Sequence, residues 1–113
     1  MCTQQQALQI LKNVYEQCSL IIEHKITDAI LYGSYARGDY HAESDIDILL
    51  AIDTSAANIA LMRNQLASIT SKLSLQHDIT ISVTAKPSEQ FIRYGNILPY
   101  YINVLEEGIR YAG

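Results

Sequence analysis

Four residues in one short stretch carry the clearest chemical content of the chain: Gly33-Ser34 and, ten residues further on, the aspartates of Asp45-Ile46-Asp47. A glycine lets the backbone adopt unusual angles and lets a ligand approach closely. A serine at a strand-to-helix junction stands beside free helix-start amides, which attract anions. Asp45 and Asp47 fall on one face of a strand, because side chains alternate. Two carboxylates so placed repel each other unless a cation sits between them, and hard divalent ions such as magnesium prefer such oxygens. A third carboxylate, Asp78, opens a later segment of clean apolar-polar alternation. If that segment lies beside the Asp45-Asp47 strand, three carboxylates meet at one metal site. A phosphate cradle next to acidic metal ligands suits a nucleoside triphosphate with its ions.

Each piece also has a plainer reading. Ser34 fits a simple helix N-cap, the aspartate pair a solvent-facing strand end, and Asp78 a turn residue. Against the second stands Ile48-Leu49-Leu50-Ala51, which continues the strand as a buried run. The words Gly33-Ser-Tyr-Ala-Arg-Gly-Asp39 do not make a P-loop, since Asp39-Tyr40 follows Gly38 where lysine and serine or threonine are required. Arg37 lies one turn beyond Ser34, where it reaches a phosphate or a partner, or is merely solvated. Tyr32, Tyr35 and Tyr40 are candidates for stacking on a base, with core or rim packing as the alternative.

The surrounding elements follow from periodicity. Residues 4–25 read as a helix whose apolar face runs from Ala7 to Ile22, with Thr3 as N-cap and Gln6 completing a capping box. A strand over 28–32 ends at Gly33, and a short helix covers 34–39. A strand over 45–51 places Asp45, Asp47 and Leu49 on one face and Ile46, Ile48 and Leu50 on the other. A helix over 56–75 presents Ile59, Met62, Leu66, Ile69 and Leu73 inward. The third strand covers 77–84. Helices follow over 88–94 and 98–107, ended by Gly108, and residues 109–112 form a short strand or a docked tail.

The chain has 113 residues, 49% of them hydrophobic and 18% charged, which predicts one domain over residues 1–113. A net charge of −4 and scattered arginines argue against long nucleic acid as the partner. Cys2 and Cys18 are too few for a disulfide framework or a zinc site. The first residues lack the pattern of a secretory signal, and no apolar run has the length of a membrane span, so the expected location is cytoplasmic.

Taken together, Gly33-Ser34, ten residues, Asp45-x-Asp47 and a downstream Asp78 resemble the polymerase-beta-like nucleotidyltransferase superfamily. The stretches LYGSYARGD and SDIDILL, with Glu107-Gly108 before an apolar tail, look like its minimal nucleotidyltransferase group. The resemblance implies an α/β (α+β) fold with a small mixed sheet packed by helices. It implies two magnesium ions held by Asp45 and Asp47, with Asp78 completing one site and taking the proton of the attacking hydroxyl. Gly33, Ser34 and neighbouring amides would hold the phosphates of ATP, helped by Arg37. Many members of the group are antitoxins encoded beside a HEPN-domain ribonuclease toxin, and transfer AMP to a tyrosine hydroxyl of that partner, with which a hetero-oligomer is expected. Two alternatives stand beside this one: a non-catalytic module that caps the toxin, and a nucleotidyltransferase acting on a small molecule.

Overall fold

The computed structural model describes residues 2–111. Helix α1, Gln4–Ile21, starts at the expected capping box: the Gln6 amide donates to Thr3 Oγ1 and the Thr3 amide to Gln6 Oε1. It ends three to four residues early, where Ile22 turns extended and tucks into the core. Strand β1, Ile26–Tyr32, runs into helix α2, Ser34–Arg37, and strand β2 covers Ile46–Ile52. The single helix expected over 56–75 is two: α3, Ala56–Leu61, and α4, Arg63–His77. The break falls at buried Met62, whose φ of −86° and ψ of −4° lie in the bridge region between them. Strand β3, Ile81–Pro87, leads into α5, Ser88–Tyr94, then α6, Pro99–Glu107, and β4, Ile109–Arg110. Of the closing segment expected over 109–112, Ala112 lies outside the described residues.

The sheet order is β3-β2-β1-β4. β1 pairs antiparallel with β2 and β4, while β2 and β3 are parallel, as a helical crossover through α3 and α4 requires. This is the mixed α/β architecture anticipated above. One face of the sheet, with Leu31, Ile46, Ile48, Leu50 and Ile81, packs on α1 and α4. The other, with Ile30, Leu49 and Ala51, packs on Phe91 of α5 and on Tyr101 and Val104 of α6. Both faces are therefore covered along the middle of β2, which explains its unbroken apolar run. Toward the start of β2 the sequence turns acidic. Gly108 closes α6 against β1, because a Cβ there would meet the Val104 carbonyl and the Ile30 side chain.

Candidate active site

The acidic end of β2 faces the end of β1. Tyr32 is the cross-strand partner of Asp47, and Gly33 follows it with φ +79°, a conformation open to glycine. A Cβ built on Gly33 would lie 2.6 Å from Asp47 Oδ2. Glycine here serves two ends: it makes the turn into α2 and leaves room for a carboxylate. The N-cap of α2 is Gly33 itself, so Ser34 is the first helical residue rather than its cap. The Gly33 carbonyl takes the amides of Ala36 and Arg37, at 3.1 Å each. The amides of Ser34 and Tyr35 belong to the helix-start set without intrahelical partners.

Asp47 shares its sheet face with Leu49, as alternation predicts, and is half-buried, whereas Asp45 is exposed just before β2 begins. Burial pushes the Asp47 carboxyl above the ordinary value of 3.8; the neighbouring Asp45 charge pushes the same way, and Arg37 opposes it. Asp45 and Arg37 are thus each within electrostatic reach of Asp47. Arg37 donates from Nε to Asp39 Oδ2 at 3.1 Å and from Nη1 to Glu107 Oε2 at 2.9 Å. Glu107, at the end of α6, was not legible as part of this cluster. Its only sequence signal is the Glu-Gly pair at the helix terminus.

Asp78 does not stand on the polar face of a strand. It is the C-cap of α4, in the left-handed region with φ 51°, and its amide donates to the Ser74 carbonyl. β3 starts three residues later, and Asp78 lines a separate cavity of about 590 Å³ with Cys2, Gln6 and Tyr35. The residue of β3 that pairs with Asp47 is Ser82. Among the described residues, no three His, Cys, Asp or Glu side chains are grouped to hold a metal ion. Tyr35 is buried and stacks on Tyr40 at 4.4 Å, so those two rings form packing rather than a base platform.

A hard divalent cation fits Asp45 and Asp47. Their oxygens are the right donor type, their mutual repulsion calls for positive charge, and the absence of a Cβ on Gly33 lets the Asp47 carboxylate lie against the turn into α2. With two carboxylates, most of the coordination sphere is left for phosphate oxygens and water, the usual arrangement for magnesium-nucleotide sites.

The model of the family "Polymerase beta, Nucleotidyltransferase" matches residues 9–98. Two proteins of Methanocaldococcus jannaschii, both named as candidate protein adenylyltransferases, are similar. MJ0141 is 37% identical over 75 residues, covering 66% of this chain and 74% of its own length. MJ0604 is 38% identical over 84 residues, covering 74% and 76%. Among solved structures, a toxin-antitoxin with AMP-PNP superposes with a TM-score of 0.60 at 22% identity, covering 88% of this chain and 70% of that one. A double aspartate-to-glutamate mutant of the toxin-antitoxin MntA-HpeT gives 0.59 at 20% identity, with the same coverage. At these identities the two structures speak for the fold. No described helix is long and apolar enough to cross a membrane.

Proposed function

This chain belongs to the polymerase beta nucleotidyltransferase family and is a nucleotidyltransferase; on that premise we propose that it transfers AMP from ATP to a tyrosine hydroxyl of a partner HEPN-type toxin, and so acts as an antitoxin. The observation that carries this reading is the placement of Asp47 against the Cβ-free Gly33, with Asp45 and Arg37 close enough to shift its proton affinity. Similarity to two proteins named for protein adenylylation supports a protein acceptor. Likeness in fold to toxin-antitoxin pairs, one with a bound ATP analogue, supports a toxin as that acceptor. The reading places the reaction in the cytoplasm.

Asp45 and Asp47 are the residues that would hold two magnesium ions. A metal held there would neutralise the triphosphate and make the acceptor hydroxyl easier to ionise. The chain's own work is positioning. Ser34 and the first amides of α2 hold the terminal phosphates at the Gly33 turn. Arg37 lies near the same end of the sheet, held by Asp39 and Glu107, from which a phosphate would have to draw it. The acceptor oxygen then forms its bond to the α-phosphorus as the bond to the α–β bridging oxygen breaks. Pyrophosphate leaves, and the phenolic proton passes to solvent. Asp78 takes no part, since it caps α4 outside this cluster.

One observation favours a second reading. Ser82, not a carboxylate, occupies the β3 position beside Asp47. A site with two acids is a less complete metal cage than one with three, which suits a module that neutralises its toxin mainly by covering it. Labelled ATP, magnesium and whichever protein is encoded beside this chain separate the readings. AMP on a tyrosine, lost with Asp45→Ala and Asp47→Ala, supports the enzyme acting on its toxin. Neutralisation by those variants with no label in the wild type supports the cap. Label on a small molecule points to the remaining alternative.

A further inference from the structure

We propose that the cavity between β3, α5 and α6 is the nucleobase subsite of the triphosphate, with Tyr100, Tyr94 and Leu98 as its walls and Gln90 reading the base edge. The proposal rests on the reading of the site as a nucleotide-binding one, and adds where the base goes and which residues choose it.

Strand register supplies the first argument. Asp47, Leu49 and Ala51 of β2 pair with Ser82, Thr84 and Lys86 of β3, so Thr84 and Lys86 lie on the Asp47 face of the sheet. At the usual strand rise they stand about 7 and 13 Å beyond the Asp47 row. Both line this cavity of about 530 Å³. A ribose bridges such a span between an α-phosphate at Asp47 and a base in the cavity.

A second link runs through two tyrosines. Tyr32 is the cross-strand partner of Asp47, and the Tyr100 hydroxyl donates to the Tyr32 hydroxyl at 3.0 Å. Tyr100 also meets the rings of Tyr32 and Tyr101 edge-on, with centroids 5.7 and 5.4 Å away. Its orientation is therefore set before any ligand arrives, yet Tyr100 is 37% exposed and Leu98 43%. Both therefore keep part of their apolar surface open to the cavity.

The chemistry of the walls selects the occupant. Aromatic and apolar surfaces bind the π-face of a base. Gln90, partly buried in the same cavity, offers one donor and one acceptor in a single plane, the pattern that pairs with the ring nitrogen and amino group of adenine. The occupant named here is accordingly a purine base, adenine before guanine.

The test is calorimetric titration of the full chain, with magnesium, by ATP, GTP and inorganic tripolyphosphate. The wild type should bind ATP at least about tenfold more tightly than tripolyphosphate, as one stacked base contributes. Tyr100→Ala should remove that advantage and leave tripolyphosphate binding unchanged. Tyr100→Phe, which keeps the ring, should retain it. Gln90→Ala, a smaller change at the rim, should narrow the gap between ATP and GTP and carries the test if Tyr100→Ala does not fold. Equal affinity of the wild type for ATP and tripolyphosphate would overturn the subsite but not the phosphate site. Unchanged ATP affinity in Tyr100→Ala and Gln90→Ala would overturn it too, and loss of AMP transfer in those variants would then assign the cavity to the acceptor. Failure to bind either triphosphate would sink the nucleotide-binding reading as a whole.

Discussion

Gly33 and Asp47 face each other with no room for a methyl group between them: a Cβ on Gly33 would lie 2.6 Å from Asp47 Oδ2. The turn that starts α2 and the carboxylate near the start of β2 are therefore one unit. Gly33→Ala must either displace the carboxylate or distort a backbone held at φ +79°. The expected result is a stability loss of about 1–3 kcal/mol from backbone strain. Nucleotide transfer should fall further, roughly a hundredfold, because a misplacement of about 1 Å can cost that much. Denaturant unfolding and a transfer assay on the same preparation check the two effects separately.

Asp47 should cost the metal-free protein stability. Its folded proton affinity is raised, by burial first and by Asp45 second. The folded state therefore binds that proton more tightly than the unfolded chain does. The sign follows: as pH rises from the ordinary carboxylate value of 3.8 through the higher folded value, stability is lost. Asp47→Asn should raise the Tm at pH 7 without metal, and the gain should shrink to nothing as pH falls below 3.8. Magnesium with ATP should reverse the order by stabilising only the wild type. Thermal melts across pH, with and without ligand, read all three.

Arg37 is engaged by Asp39 and Glu107 rather than standing open for a phosphate. A phosphate role then requires competition with those carboxylates. Glu107→Gln should tighten ATP binding severalfold by releasing the guanidinium, whereas Arg37→Ala should weaken it. Opposite shifts in titrations of the two variants check the account, and equal behaviour would assign Arg37 to holding α6 in place.

Asp78 should be dispensable for chemistry. It caps α4 at φ 51°, where glycine is at ease. Asp78→Gly should leave transfer unchanged and alter stability by less than about 1 kcal/mol, in the stabilising direction. Activity assays and unfolding curves of the one variant suffice.

The fate of Asp78 shows what could and could not be seen in the sequence. The stretch from Leu31 to Ala51 was legible because its signals agree: an apolar run, a glycine where φ must be positive, and a period of two that sets Asp47 with Leu49. His77 to Thr84 alternates just as cleanly, but its first residues are a helix end. Buried Leu73 continues α4, and the Ser74 carbonyl accepts the amides of Asp78 and Ile79. A period-two pattern running through a left-handed cap looks the same as a strand until the register is known. That register decides which β3 residue meets Asp47, and a shift of a few positions exchanges an acid for Ser82. The Arg37–Glu107 and Tyr32–Tyr100 contacts join residues 70 and 68 positions apart, and no local pattern announces such pairs.

The most direct test of the account is manganese binding followed by electron paramagnetic resonance, with manganese in place of magnesium. Wild-type protein should take up the ion far more tightly when ATP is present, and Asp45→Ala and Asp47→Ala should abolish that uptake while staying folded. ATP-dependent binding that survives unchanged in Asp47→Ala would contradict the assignment of the metal-nucleotide site to this end of the sheet.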